Sequence, residues 1–440
     1  MIRIFKFGGA LLKNAADLQQ MAAIVQEFAC EPMVIVVSAM EKTTNALEKL
    51  LQLRREQNIQ MLEKEYFKLK QKHLALIQSL QLTDPFALTE EIEKEFHHLW
   101  ESLQQNDTDP YRQYDRVVSH GENFAIRIVT RYLSEQKLRL QAIDARCLIV
   151  TNDNHSRAGI RWEFTNMTIK SRVIPSLESG KIVITQGFIG ANSKGETTTL
   201  GREGSDFTAA IVAYALQAEE VSIWKDVPGL MNCDPRLFQD AVKLPHISYN
   251  EAIELAFYGA SVIHPKTIQP LQKKQIPLKV RAFYEPTSAP TIIDQIESDD
   301  ARIPKIIVKQ NQLLLSISSR NLDFMAEDKL QKVFAVFNHY KVHMNLMQNS
   351  AVSFSVCFDW QPDQLEKLIL ALREEFILKY NSGLQLFTFR HYNQTLVDRF
   401  TKGKKFYLSQ KNRTTLQVLL RDPSLANSHF DAIESALDNN

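Results

Sequence analysis

"TTTLGREGSDFTAA", from Thr197 to Ala210, lies between an apolar strand-like run and a helix-like run. It crowds two glycines, an arginine, a glutamate, a serine and an aspartate around a single turn. Upstream, "GKIVITQGFIGA" reads as a strand closed by a glycine turn at Gly187 and Gly190. Downstream, "TAAIVAYALQA" has helical spacing, and "EEVSIWKDVPGL" is a strand followed by a charged turn. Further out, "IRIFKFGG", "AADLQQMAAIVQEF" and "PMVIVVSAM" form strand, helix and a continuous apolar strand. That order is the βαβ unit of a parallel sheet whose strands are covered on both faces. "SYNEAIELAFYG" predicts a helix capped by Ser248, with Glu251 at capping-box spacing. The alternation predicts one large α/β domain over residues 1–295.

Two segments break this rhythm. Residues 45–116 are rich in Leu, Gln, Lys and Glu with apolar residues at helical spacing, a helical insert whose stretch from Asn45 to Leu80 predicts one long helix or two. Beyond a Pro-, Ser- and Asp-rich boundary near 295–304, the predicted order is β-α-β-β-α-β over about 310–390, a ferredoxin-like arrangement. Strand-like pieces in "KKFYLSQKNRTTLQVLLRD" extend this second region, 305–440, as a partial further unit.

The 440-residue length supports two or three domains. With 44% apolar and 23% charged residues and a formal net charge of +1, no field favours nucleic acid or an anionic membrane. Cys30, Cys147, Cys233 and Cys357 are scattered without a C-x-x-C pair, which argues against a disulfide framework or a zinc ribbon. The N-terminus begins directly as a strand, and no apolar run is long enough to span a bilayer. The expectation is a cytoplasmic protein.

Chemistry gathers at predicted strand ends, where open α/β sheets bind ligands. Gly8 and Gly9 in "FKFGGA" allow backbone amides to approach a phosphate, beside Lys6. The spacing is not that of a P-loop. Ser38, Thr43 and Thr44 follow the buried "MVIVV" strand, as ligands or as caps of the next helix. "SHGEN" offers Glu122, suited to a helix dipole or to a substrate ammonium. Arg202 has the planar fork that grips a carboxylate, and Asp206 opens the following helix near Ser205. "KDVPGLMNCDPR" adds Lys225, Asp226, Asp234 and Arg236. The combination favours phosphoryl transfer.

These motifs, with "VVSAM…KTTN", "QGFIGA", "ISYNEAIELAFYGASVIHP" and "IPLKV", occur in the order of the aspartate kinases, which the chain resembles from residue 2 to about 295. The C-terminal unit resembles an ACT domain. The resemblance implies a three-layer α/β/α sandwich with a mainly parallel sheet, the amino-acid kinase fold, followed by a ferredoxin-like ACT region. It implies transfer of the ATP γ-phosphoryl group, with Mg²⁺, to the β-carboxylate of L-aspartate, the first step towards lysine, threonine and methionine. By the same resemblance Lys6 stabilises the transferring group, Asp206 orients Lys6, and Gly8 and Gly9 cradle phosphate. Ser38, Thr44 and Ser205 would hold aspartate, Glu122 its ammonium and Arg202 its α-carboxylate. Lys225, Asp226, Met231, Arg236, Ser261 and Val262 would meet the nucleotide. ACT units imply a homodimer, with lysine or threonine as candidate effectors.

The sequence departs from the family pattern at four places. Glu41 and Glu203 stand where glycine is common, Met231 where tyrosine is, and Ser261 where lysine is, with Lys266 a substitute charge. No G-x-G-x-x-G unit follows, so a fused homoserine dehydrogenase is not expected. The competing readings are a kinase for another amino acid, such as glutamate, and a non-catalytic amino-acid sensor.

Overall fold

A computed structural model describes residues 1–260, 263–321 and 323–422. The chain forms two compact units. One comprises residues 1–230, 243–256 and 261–299; the other comprises 231–242, 257–260 and 300–440. Met231, Asp234 and Arg236 therefore belong to the second unit, and Lys225 and Asp226 to the first.

The first unit is built on an eight-stranded sheet. Its strands are β1 (Arg3–Phe7), β2 (Met33–Val37), β3 (Leu140–Ala142), β4 (Ile182–Gln186), β7 (Glu220–Lys225), β8 (His246–Ser248), β9 (Leu278–Ala282) and β10 (Thr291–Asp294). A separate two-stranded ribbon pairs β5 (Ile189–Ala191) with β6 (Thr197–Thr199). The large sheet runs β3-β4-β2-β1-β7-β9-β10-β8, with only the β9–β10 pair antiparallel. All five residues of β2 are buried, as its unbroken "MVIVV" demands when helices cover both faces. α5 (Pro110–Glu135) packs against β2, β3 and β4, with α1 (Ala15–Glu27) against it. α6 (Trp162–Glu178), α7 (Gly204–Leu216) and α9 (Pro265–Lys274) supply the other layer. The result is the three-layer sandwich of the amino-acid kinase fold.

The stretch 45–80 forms two helices rather than one, and the insert continues into two more. α2 (Thr43–Arg55) stops where Gln57 turns left-handed at φ +57°, and Asn58 caps α3 (Ile59–Ser79) by accepting from the Met61 amide. α4 (Pro85–Gln104) and α5 each begin with an aspartate cap followed by proline. These four helices pack together around Phe96 and Phe124, whose rings stack with centroids 4.3 Å apart. α8 (Tyr249–Phe257) is capped as its sequence predicts, with the Glu251 amide donating to Ser248 Oγ at 3.0 Å.

The second unit has one antiparallel six-stranded sheet, in the order β12-β13-β11-β14-β16-β15. β11 (Lys305–Ser319), α10 (Glu327–His339), β12 (Met344–Asn349), β13 (Ser353–Asp359), α11 (Pro362–Leu372) and β14 (Phe376–Arg390) make the ferredoxin-like order. α12 (Gln394–Thr401), β15 (Lys405–Lys411) and β16 (Thr415–Arg421) continue it. β11 and β14 serve both halves. Lys305–Lys309 pair with Leu386–Arg390, and past a register shift Gln312–Ser319 pair with Leu384–Phe376. Asn311, at φ +54°, sits in that shift.

Candidate active site

The parallel strands β1 and β2 end side by side, in register from Arg3↔Met33 to Phe7↔Val37. A cavity of about 870 Å³ opens beyond these ends. Of the residues singled out in the sequence, it brings together Lys6, Gly9, Ser38, Thr44, Glu122, Arg202, Ser205 and Asp206. Lys266 also lines it.

The turn after β1 needs glycine for a steric reason. A Cβ on Gly9 would lie 2.0 Å from the Ala39 carbonyl oxygen, so the turns after β1 and β2 touch backbone to backbone. The Glu41 amide donates to the Gly9 carbonyl at 2.9 Å and closes this contact. Glu41 itself points to the insert, where Lys72 pairs with it at 2.7 Å. Gly8 lies against the lysine, its would-be Cβ 3.4 Å from Lys6 Nζ. Thr43 and Thr44 do not cap their helix: Lys42, at φ +49°, occupies the cap position without a side-chain bond. That leaves Thr44 at the cavity wall.

Lys6 Nζ meets Asp206 Oδ1 at 2.6 Å, both side chains nearly buried. Burial opposes ionisation of Asp206, but the charges of Lys6 and Lys225 outweigh it and hold the carboxyl below its usual range. Asp206 also sits in the first turn of α7, where the helix dipole favours an anion. Glu122 behaves oppositely. Burial drives its pKa up to about 8, against the weaker pull of Lys6 and of the Ala39 amide. Its Oε2 has no hydrogen-bond partner. A buried carboxyl with an open acceptor facing a cavity is matched to a cationic ligand group. Arg202, exposed at the cavity lining, has no ion-pair partner among the described residues.

Glu203 shows why glycine is common at its position. It caps α7 in a left-handed conformation, φ +55°. Its Oε2 accepts from the His264 amide at 2.8 Å, which ties the start of α9 to the start of α7. His264 in turn caps α9, Nδ1 accepting from the Lys266 amide.

Other positions fall outside the cavity lining. Lys225 and Asp226 sit at the end of β7. Arg236 is exposed and held by Asp234 at 2.7 Å, within the second unit. Ser261 and Val262 lie outside the described residues.

Several wall residues escaped the sequence reading: Glu48, Tyr114, Ser156, Arg157, Phe188 and His264. Tyr114 donates to Glu48 at 2.8 Å, and burial together with that carboxylate pushes the phenol's pKa up. Behind the wall, Asp115 is wholly buried and accepts from Thr199 Oγ1 at 2.5 Å and from the Ser156 amide at 3.0 Å. Burial raises its pKa against those donors. Asp115 precedes Glu122 by two helical turns on the same face of α5, a spacing visible in the sequence. Arg157 lies in a turn-rich segment with no such periodic signal.

The orientation of α5 is set from the insert. His120 Nδ1 donates to Glu95 Oε1 at 2.7 Å, Asn123 Nδ2 donates to the same oxygen at 2.7 Å, and Arg127 reaches Oε2 at 3.2 Å. His120 and Asn123 flank Glu122 in "SHGEN", so this network fixes the turn that aims Glu122 inward.

The amino acid kinase family model matches residues 1–282. Lysine-sensitive aspartokinase 3 of Escherichia coli (strain K12) is 32% identical over 361 residues, covering 81% of this chain and 78% of that protein. Aspartokinase 1, chloroplastic, of Arabidopsis thaliana is 31% identical over 364 residues, and the chain spans only 63% of its length. The crystal structure of E. coli aspartokinase III in complex with lysine and aspartate superposes with a TM-score of 0.80 at 27% identity, covering 96% of this chain and 97% of that one. The same enzyme with aspartate and ADP gives 0.78 at 27% identity, covering 96% of each chain. With a family match over more than half its length and full-fold agreement with an aspartokinase, the chain belongs to the amino acid kinase family and, within it, to the aspartokinases.

Proposed function

We propose that the cavity transfers the γ-phosphoryl group of ATP to the β-carboxylate of L-aspartate, giving 4-phospho-L-aspartate and ADP. The carrying observation is its charge pattern. Its lining combines a buried cation locked to a carboxylate, Lys6–Asp206, with the half-satisfied Glu122 and with Arg202, which has no ion-pair partner among the described residues. An amino-dicarboxylate complements this set. Its ammonium suits Glu122 and its α-carboxylate suits Arg202, which leaves the β-carboxylate towards Lys6, with Ser38, Thr44 and Ser205 as hydrogen-bonding neighbours.

A β-carboxylate oxygen attacks the γ-phosphorus as the bond to the β,γ-bridging oxygen breaks, and ADP departs with that electron pair. The acceptor is already an anion, so no protein base is required. Rate comes from positioning and from charge stabilisation by Lys6, which Asp206 orients. Gly8 and Gly9 bring backbone amides to the phosphates, and Lys225, Asp226, Met231, Arg236, Ser261 and Val262 are the nucleotide-side candidates. Mg²⁺ would accompany ATP and supply charge neutralisation at its phosphates. The E. coli structures in complex with aspartate and with ADP support the substrate pair.

Hydroxamate formation from ATP, Mg²⁺, hydroxylamine and L-aspartate tests this. Aspartate-dependent product that is lost in Lys6→Ala is expected; a well-folded wild type that makes none overturns it.

The second unit is assigned to regulation, with lysine as the first effector to test, since the E. coli relative is lysine-sensitive by name. Residues 305–420 are assigned to a homodimer. Inhibition by lysine, then threonine, tests the former, and a monomeric mass at micromolar concentration would refute the latter. Among the described residues no helix is long and apolar enough to cross a membrane.

A further inference from the structure

The segment from Thr151 to Gly159 is irregular, yet it is held more tightly than a surface loop requires. Thr151 Oγ1 and Thr198 Oγ1 are 2.7 Å apart, and the Ala158 amide donates to the Thr199 carbonyl at 2.9 Å. The segment is thereby stitched to β6, directly before the turn that carries Arg202. Its central corner rests on one side chain from another element. Asp115, on α5, takes the Ser156 amide with both carboxylate oxygens, each at 3.0 Å, and His155 Nδ1 at 2.8 Å. The Thr199 hydroxyl, from β6, completes the set at 2.5 Å. One carboxylate therefore grips the segment and β6 together.

The corner is held in a costly state. Ser156 is left-handed at φ +65°, which a residue with a Cβ adopts at a penalty of about 1–2 kcal/mol. Asp115 is withdrawn from water completely. Such costs persist where surrounding contacts over-determine a geometry that has a use. The geometry here brings Ser156 and Arg157 to the cavity wall. A Cβ built on Gly201 would lie 3.4 Å from the Ser156 carbonyl oxygen and 3.5 Å from Arg157 Cγ, so the corner packs on the residue next to Arg202. Arg157 is exposed, has no ion-pair partner among the described residues, and lines the same cavity as Arg202.

We infer that Arg157 is a second guanidinium for the α-carboxylate of the amino-acid substrate, beside Arg202, and that Asp115 is a positioning residue that holds it there through Ser156. The inference rests on the aspartate-kinase reading. A single fork supplies two parallel hydrogen bonds; a second donor raises the discrimination against substrates that lack the α-carboxylate.

The test uses the full chain and the hydroxamate assay, with KM for aspartate and for ATP measured separately. Arg157→Gln is expected to raise the aspartate KM by about tenfold or more, with kcat within about twofold and the ATP KM unchanged, the signature of lost binding to one substrate. Arg157→Lys recovers part of the loss. Asp115→Asn keeps the size but turns one acceptor into a donor facing the Ser156 amide, and is expected to raise the aspartate KM selectively as well. Because both act through one guanidinium, Asp115→Asn combined with Arg157→Gln is no worse than Arg157→Gln alone. An unchanged aspartate KM in Arg157→Gln overturns the inference. So does an Asp115→Asn protein with a lowered melting temperature but wild-type KM values, or full additivity in the double variant. A wild type inert towards aspartate would instead bring down the underlying reading, whereas an active wild type with an indifferent Arg157→Gln removes only this assignment.

Discussion

Glu95 and Glu122 are equally inaccessible, 4% and 3% exposed, and stand on adjacent helices of one unit. Glu95, inside the helical insert, is surrounded by donors from His120, Asn123 and Arg127. Burial opposes its charge, but those donors hold its pKa down at about 2. Glu122, at the cavity wall, keeps an open oxygen, and burial lifts its pKa to about 8. Equal burial with opposite electrostatics separates a carboxylate that builds the protein from one that waits for a ligand. The two are mechanically joined, because the residues flanking Glu122 are those bound to Glu95.

The largest expected break is at Lys6, whose charge acts on Glu122 and pairs with Asp206. Lys6→Ala should lower kcat about 10²–10³-fold or more, the scale for removing one donor to developing charge, read in the hydroxamate assay with the melting temperature as control. Next is Glu122→Gln, expected to raise the aspartate KM by about 30-fold or more, since truncating one member of a buried charge pair costs about 2–5 kcal/mol. Its pH signature is sharper than its size. Aspartate binding needs ionised Glu122, so wild-type affinity should fall as pH drops below about 8, whereas the glutamine variant shows no such fall.

Stability should move in opposite directions for the two glutamates. The folded pKa of Glu122 lies above the unfolded value of 4.5, so the unfolded chain ionises first and folding weakens as pH rises from 4.5 towards about 8. Glu122→Gln removes that trend and stabilises the empty protein at neutral pH. The folded pKa of Glu95 lies below 4.5, so its contribution is present above 4.5 and is lost as pH falls towards about 2. Glu95→Gln should destabilise by about 3 kcal/mol at pH 7, because it breaks a buried charged network; a chemical denaturation series checks it. A Glu95 variant as stable as wild type would erase the distinction drawn here. The smallest effect belongs to Glu203→Gly. Release of the left-handed strain, about 1 kcal/mol, is offset by loss of the bond to His264, about 1 kcal/mol, so the melting temperature should shift by no more than about 2–3 °C.

Much of this was legible without coordinates. The "MVIVV" run, the capped starts at Ser248 and the strand-helix alternation give the layered architecture, because local periodicity reports which faces are covered. The resemblance to the aspartate kinases, carried by the quoted motifs, joined Lys6, Glu122, Arg202 and Asp206 into one expected set. Less legible were the elements defined by non-local partners. The break between α2 and α3 depends on one left-handed residue, Gln57. The sharing of β11 and β14 by both halves of the six-stranded sheet depends on a register shift that no periodicity encodes.

By itself, then, the order of residues determined the fold class through its hydrophobic pattern, and its motifs carried the resemblance that implied the family and the chemical vocabulary of the site. Only the tertiary structure decided which acids carry charge. Glu95, Asp115, Glu122 and Asp206 are alike as letters, and their separate fates come from desolvation and from donors brought in across tens of residues of chain. It also decided which residues reach the cavity: Arg157 and Tyr114 joined it without a local signal in the sequence. Electrostatic environment is a property of neighbours in space, and neighbours in space are what packing alone selects.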